Sequence, residues 1–330
     1  MAQRKHITEI GLGFYSDGML LLHPKDLDDI DKHGREVREL SDRCHIYAIV
    51  TKPRVTYVPG SIAIGNGKTS GRFRYVRDGV ASECGFHLGG EPNADRVDIS
   101  PYPHTKLHLI RDDEIVFTAP AHMTSMICEH IDVAELRDLT VQYIGMSYAD
   151  GRRSARDRLA SHSTLQRVLA DLNGDAPDLE ALLVLAEFAS PQTMITFDGR
   201  DPTLVIETDR DIEVALNRQA AEISEGQEIA LIEAGLIRYF QPPYNEKYKH
   251  TFPAQSQKIL AELYSIDFSG LTVEINTESL HGRLLSGHRP PGFHHMAYYD
   301  LHDPAIRRSF FDILGEEGTS GANVMSGPLF

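Results

Sequence analysis

Apolar positions recur along this chain with two different periods, and the period changes twice. Up to residue 120 they come as short runs and alternations. Residues 44–51 (CHIYAIVT), 54–58, 71–76 and 106–119 (KLHLIRDDEIVFTA) carry β-branched, aromatic and alternating apolar residues, which predicts strands. Arg111-Asp112-Asp113 divides the last of them into a hairpin. One early helix is predicted over 26–42, where Leu27, Ile30, Val37 and Leu40 return among polar residues.

The middle of the chain alternates strand and helix. A short strand over 140–145 is followed by a helix over 154–172, with apolar positions at Ala155, Leu159, Leu165, Val168, Leu169 and Leu172 and a stop at Asn173-Gly174. An apolar run covers 179–189, and 193–197 reads as a strand. A long helical pattern over 211–240, bent near Gly226, must end at Gln241-Pro242-Pro243, because proline cannot continue the hydrogen-bond ladder. Beyond it, 271–275 and 294–299 are predicted strands, 304–314 a helix with proline in its first turn, and 315–330 a polar tail. The expectation is an α/β protein: a core over 124–250 made of a small mixed or antiparallel sheet with helices, a β-rich region over 1–123, and a β/α extension over 251–330 packing with that first region.

Composition narrows the chemistry. The chain has 330 residues, three cysteines (Cys44, Cys84, Cys128) and a net charge of -15. No apolar run approaches a membrane span and the N-terminus lacks the apolar stretch of a signal peptide, so a soluble protein of the reducing cytoplasm, with no membrane partner, is expected. The acidic balance argues against a surface that binds nucleic acid throughout. One stretch runs the other way: residues 145–170 hold Arg152, Arg153, Arg156, Arg158 and Arg167 against Asp150 and Asp157.

That stretch lies inside an ordered set of motifs. Tyr143-Ile144-Gly145 ends a predicted strand and is followed by Ser147, Arg158 and His162 stand four apart, and Glu233 precedes Asn245 by twelve residues with Pro242-Pro243 between. In order, residue type and spacing the set resembles the second half of a GIY-YIG nuclease, restriction-endonuclease-like branch. The resemblance implies a metal-dependent DNA endonuclease, with restriction or phage defence as its setting. It makes Glu233 the ligand of Mg²⁺ or Mn²⁺, Arg158 the residue on the scissile phosphate, His162 the support of a tyrosine near the attacking water, and Tyr143 a member of the catalytic group. Gly145 and Asn245 then support the site, while Ser147, Arg152, Arg153 and Arg156 face nucleic acid. A homodimer is compatible with this reading.

In one respect the chain departs from the family. The first tyrosine of the pattern should stand about thirteen residues before Tyr143, and residues 124–131 (TSMICEHI) offer a strand without one. Tyr143 takes over activation of water, or a metal-bound hydroxide acts with less help, or Tyr47 in CHIYAIV belongs to a displaced first strand, which requires roughly 95 inserted residues between two hairpin strands. The competing readings are a nucleic-acid-binding protein on a catalytically degenerate core and an interaction protein with an incidental YIG.

Overall fold

The computed structural model describes residues 8–65, 67–90, 94–148, 158–159, 162–197, 223–254, 257–265, 268–301 and 325–328. In chain order the strands are β1 (Thr8–Phe14), β2 (Ser16–Leu22), β3 (Ile46–Pro53), β4 (Val55–Tyr57), β5 (Ala63–Gly65), β6 (Lys68–Arg77), β7 (Val80–Gly89), β8 (Arg96–Ile99), β9 (Lys106–Arg111), β10 (Glu114–Pro120), β11 (His130–Ile131) and β12 (Asp138–Met146). Then follow β13 (Leu179–Phe188), β14 (Gln192–Phe197), β15 (Phe268–Asn276), β16 (Arg283–Ser286), β17 (Arg289–Gly292), β18 (His294–Asp300) and β19 (Met325–Pro328). The helices are α1 (Arg35–Arg43), α2 (Ala121–Ile127), α3 (Ser163–Asp175), α4 (Glu225–Phe240) and α5 (Lys258–Ser265). The architecture is mixed α/β with several sheets.

A six-stranded sheet in the order β17-β16-β12-β3-β13-β2 organises the molecule. Its middle strand β3 is antiparallel to both neighbours, with Tyr47 opposite Gly145 on one side and opposite Leu185 on the other. Every residue from Ile46 to Lys52 is buried, so both faces of β3 are covered, which is why this segment reads as a continuous apolar run. One face packs on α3, α1 and the 3-10 stretch Pro24–His33 through Leu27, Ile30, Ile49, Leu165, Val168 and Leu183. The other face packs on α4.

A second sheet, β14-β1-β15-β18-β19, closes over the far side of α4. The helix is therefore apolar nearly all round, as a helix between two sheets must be. Its closest approach is at Gly235, where a Cβ would lie 2.8 Å from Val273 Cγ2 and whose carbonyl accepts a 2.5 Å hydrogen bond from Tyr299 Oη. Between β3 and β12 the chain leaves to build two further sheets, β11-β7-β6-β4 with β5 attached and β10-β9-β8, which share their own core of Val55, Tyr57, Phe73, Phe86, Leu107 and Leu136. Strands from outside 124–250 thus complete the central sheet.

Several local expectations change. The strand foreseen within 124–131 is for the most part helix α2, which buries Thr124 and Ser125 where they bond the Tyr57 hydroxyl (2.6 Å) and Lys52 Nζ (2.7 Å). The helix foreseen over 26–42 divides at Gly34 (φ 102°) into a 3-10 stretch and α1. α3 starts at Ser163, well inside the 154–172 prediction, because His162 caps it. Part of the tail, Met325–Pro328, pairs with β18 as an edge strand. β1 and β2 were not foreseen; their glycines and polar residues mask the pattern. The helical readings over 211–222 and 304–314 lie outside the described residues.

One polar contact ties the inserted sheets to β3. Lys52 is buried, its ammonium donating to Ser125 Oγ at 2.7 Å with Glu180 Oε1 at 3.9 Å. Burial holds Lys52 down at about 8 and pushes Glu180 up, so loss of water outweighs the attraction between them. Replacing one partner strands the other. Lys52→Ala should lower stability by about 3 kcal/mol, and Lys52→Met combined with Glu180→Gln should recover most of it in urea titrations; equal loss in the single and double variants would show that the pair is not the unit.

Candidate active site

The register of β3 against β12 brings Tyr47 across Gly145, and only glycine permits the overlap. A Cβ at Gly145 would sit 2.5 Å from Tyr47 Oη, 2.6 Å from its Cζ and 2.8 Å from Tyr143 Cε1. The glycine of the YIG tripeptide is thus required by a phenol lying on it. Tyr47 is separated from Tyr143 by the whole inserted region, yet their rings lie 6.1 Å apart.

Tyr47 Oη is the centre of a hydrogen-bonded group. His162 Nε2 lies 3.0 Å from it, and the Arg158 guanidinium and the Tyr143 hydroxyl are also bonded to it. The ring orientation of His162 is set by the start of α3, whose Leu165 N–H donates to Nδ1 at 3.3 Å. Burial, followed by the Arg158 charge, lowers the His162 pKa and keeps the ring neutral near pH 7. With Nδ1 accepting, the ring proton rides on Nε2, so His162 donates to Tyr47. Arg158 and His162 were expected on one helix face. Arg158 and Leu159 are helical, residues 160–161 lie outside the described residues, and His162 is the N-cap of α3; Arg158 and His162 both act on Tyr47.

Glu233 is the only charged residue between Ile229 and Ile237 of α4. It accepts the Met146 N–H at the free edge of β12, beside Gly145. Burial pushes its carboxyl up to about 7, while Lys247, the Met146 N–H and Arg158 pull in the opposite direction. Tyr47, Tyr143, Met146, Ser147, Tyr148, Arg158 and Glu233 line one cleft of about 300 Å³. Burial, Tyr143 and Glu233 raise the Tyr47 pKa, opposed by Arg158. Tyr143 is raised by burial and by Glu233.

The supporting residues are placed by the main chain. Asn245 is buried and clamps Ile144, its Oδ1 accepting the Ile144 N–H at 2.9 Å and its Nδ2 donating to the Ile144 carbonyl at 2.8 Å. The turn that presents it starts at Gln241, which ends α4 in the left-handed conformation (φ 49°) before the two prolines. Ser147 is buried at the cleft floor, its N–H donating to the His45 carbonyl (2.8 Å) and its carbonyl bonded to His45 Nδ1 (2.9 Å). Arg152, Arg153 and Arg156 lie outside the described residues. Sequence reasoning left Tyr47 as an alternative and missed His45; the apolar β signal around both was plain, but nothing local shows which strand β3 pairs with.

Among the described residues no group of three or more His, Cys, Asp and Glu side chains gathers to hold a metal. A cation here would rest on Glu233 alone, with phosphate and water oxygens completing its shell. That donor set suits Mg²⁺ or Mn²⁺ and not zinc, and a carboxylate held up at about 7 by burial is short of the positive charge such an ion brings.

No protein-family model matches the chain, and neither a curated protein nor a solved structure matches it. No helix among the described residues is long and apolar enough to cross a membrane.

The raised Glu233 pKa has a defined sign in stability. The folded state holds a proton more tightly than the unfolded chain between the ordinary 4.5 and about 7, so this residue destabilises the fold progressively as pH rises through that window. Glu233→Gln should match the wild type at pH 4.5 and exceed it by up to about 3 kcal/mol at pH 8. Mg²⁺ should raise the melting temperature of the wild type at pH 8 and leave that of the Gln variant unchanged. Equal stability of the two proteins at pH 8 without metal would show that Glu233 is not buried as described.

Proposed function

We propose that this chain is a metal-dependent DNA endonuclease of the GIY-YIG type. The observation that carries the reading is the convergence of Tyr47, Arg158 and Glu233 on one cleft at the YIG glycine, with His162 bonded to Tyr47. Tyr47, opposite Gly145 on the antiparallel neighbour of β12, supports a role as the missing first tyrosine and weighs against a degenerate core.

In-line hydrolysis needs a base for water, charge to offset the equatorial oxygens and help for the leaving oxygen. Glu233 would hold a divalent ion, which when bound would supply positive charge to the phosphate and the departing oxygen. The Arg158 fork offers two donors to the non-bridging oxygens. As water attacks phosphorus its proton passes to Tyr47 Oη, and the P–O bonding pair leaves with the displaced oxygen. For this Tyr47 must first stand as phenolate, a state favoured by the two donors on its oxygen, Arg158 and His162 Nε2, and opposed by burial and the Glu233 charge. Tyr143, bonded to Tyr47, orients it.

The direct test is cleavage of plasmid, single-stranded DNA and RNA with Mg²⁺ and with EDTA. Cleavage of DNA that EDTA abolishes is the expected result; inert protein on every substrate overturns the reading. Within an active enzyme, Tyr47→Phe should lose ~10²-fold or more in kcat, and Tyr143→Phe less. Arg158→Ala should be nearly inactive, without rescue by Arg158→Lys, because lysine lacks the fork. Full activity of Tyr47→Phe would remove Tyr47 from the chemistry.

A further inference from the structure

We propose that Lys247, its ammonium over the ring of Tyr248, is a second phosphate-binding cation serving the cleft. This rests on the endonuclease reading for its substrate. It rests on the turn after α4 for its geometry.

Two residues before Lys247, Asn245 is fastened by both ends of its amide to Ile144, the residue preceding the YIG glycine. One residue after it, Tyr248 sits at φ 66°, a backbone conformation that a bulky side chain rarely adopts. In that conformation the Tyr248 ring is buried in the core beside Phe252, with ring centroids 6.1 Å apart. The Lys247 ammonium lies 4.3 Å from the centre of the same ring. A cation over an aromatic face is attracted to it, so this exposed lysine has a fixed seat where surface lysines usually move freely.

The Lys247 charge acts on Glu233 together with that of Arg158. The two cations belong to separate connections, Arg158 to the segment before α3 and Lys247 to the turn after α4. Among the described residues no carboxylate lies within ion-pair distance of Lys247. In a chain of net charge -15, a lysine without such a partner beside a carboxylate cleft is suited to an anion brought from outside. A phosphodiester on Arg158 has two non-bridging oxygens, each able to accept more than one contact, and a neighbouring phosphate of the same strand offers two more. Lysine suits that position as a compact point charge.

The experiment compares Lys247→Gln, Lys247→Arg and Tyr248→Phe with a surface control, Lys32→Gln, in the full chain. Cleavage kinetics are read with Mg²⁺, and duplex binding by anisotropy against salt without metal. Lys247→Gln should lower kcat/KM by about 10-fold or more and reduce the slope of log K against log salt by about one. Lys247→Arg and Tyr248→Phe, which keep the charge and the ring, should remain near wild type, as should Lys32→Gln. If the wild type cleaves and Lys247→Gln behaves like Lys32→Gln, the endonuclease reading stands and Lys247 has no part in it. If the wild type binds duplex without cutting it and Lys247→Gln lowers the salt slope, the cation stands and the endonuclease reading falls. Absence of both cutting and binding overturns both.

Discussion

A carboxylate on a helix buried between two sheets is the constraint from which the site follows. α4 has to be apolar to fill the space between the central sheet and β14-β1-β15-β18-β19, and along Ile229 to Ile237 only Glu233 breaks that rule. A charge in such surroundings is costly unless something offsets it. The fold supplies partial offsets, the Met146 N–H at the free edge of β12 and the fields of Lys247 and Arg158, and burial still prevails. The same imbalance makes the ionised residue a burden on the stability of the fold. Residues selected for stability alone would not leave that imbalance in place.

Everything else in the cleft is delivered to this carboxylate by strand register. β12 must end beside α4 so that Met146 can reach Glu233, and β3 must lie on its other side so that Tyr47 crosses Gly145. Asn245 fixes the remaining variable by tying the turn after α4 to Ile144, so that helix and strand cannot slide past each other. A one-residue slip of β3 would send Tyr47 to the α4 face and Ile46 into the hydrogen-bonded group.

The sequence carried the identities of most of these groups and few of their relations. Glu233, Arg158, His162, Tyr143, Gly145 and Asn245 could be picked out because spacing along one segment survives in the linear pattern. Tyr47 could not be placed, since its partner strand is β12, and pairing across a long insertion leaves no local trace. His162 was misplaced for a related reason: a 3.6-residue period fits RLASH to a helix, whereas the side chain caps α3 by accepting the Leu165 N–H. The helix α2 was read as a strand because Thr124, Ser125 and Ile127 have strand-like composition. Their hydroxyls instead satisfy Tyr57 and the buried Lys52, which tertiary packing imposes and local propensity does not contain.

The geometry of the insertion explains how the β3–β12 hairpin can be interrupted and still close. β3 runs away from the cleft, so the chain leaves after Pro53 and returns at Asp138, at the end of the pair opposite to Tyr47 and Gly145. Six residues of extended chain separate that exit from Tyr47, about 20 Å at the usual rise per residue. Loop closure grows only logarithmically with length, and the inserted sheets offset their own ordering with a separate core around Tyr57, Phe73 and Phe86. The hairpin is held by its pairing, from Thr51 opposite Thr140 to Ile46 opposite Met146, so the length of chain between its arms has little effect on it. Lys52 and Ser125 then fix the insertion against β3 at the exit. Chain can be added or altered beyond that latch with little effect on the cleft, because the covalent connections to it run along the paired strands β3 and β12.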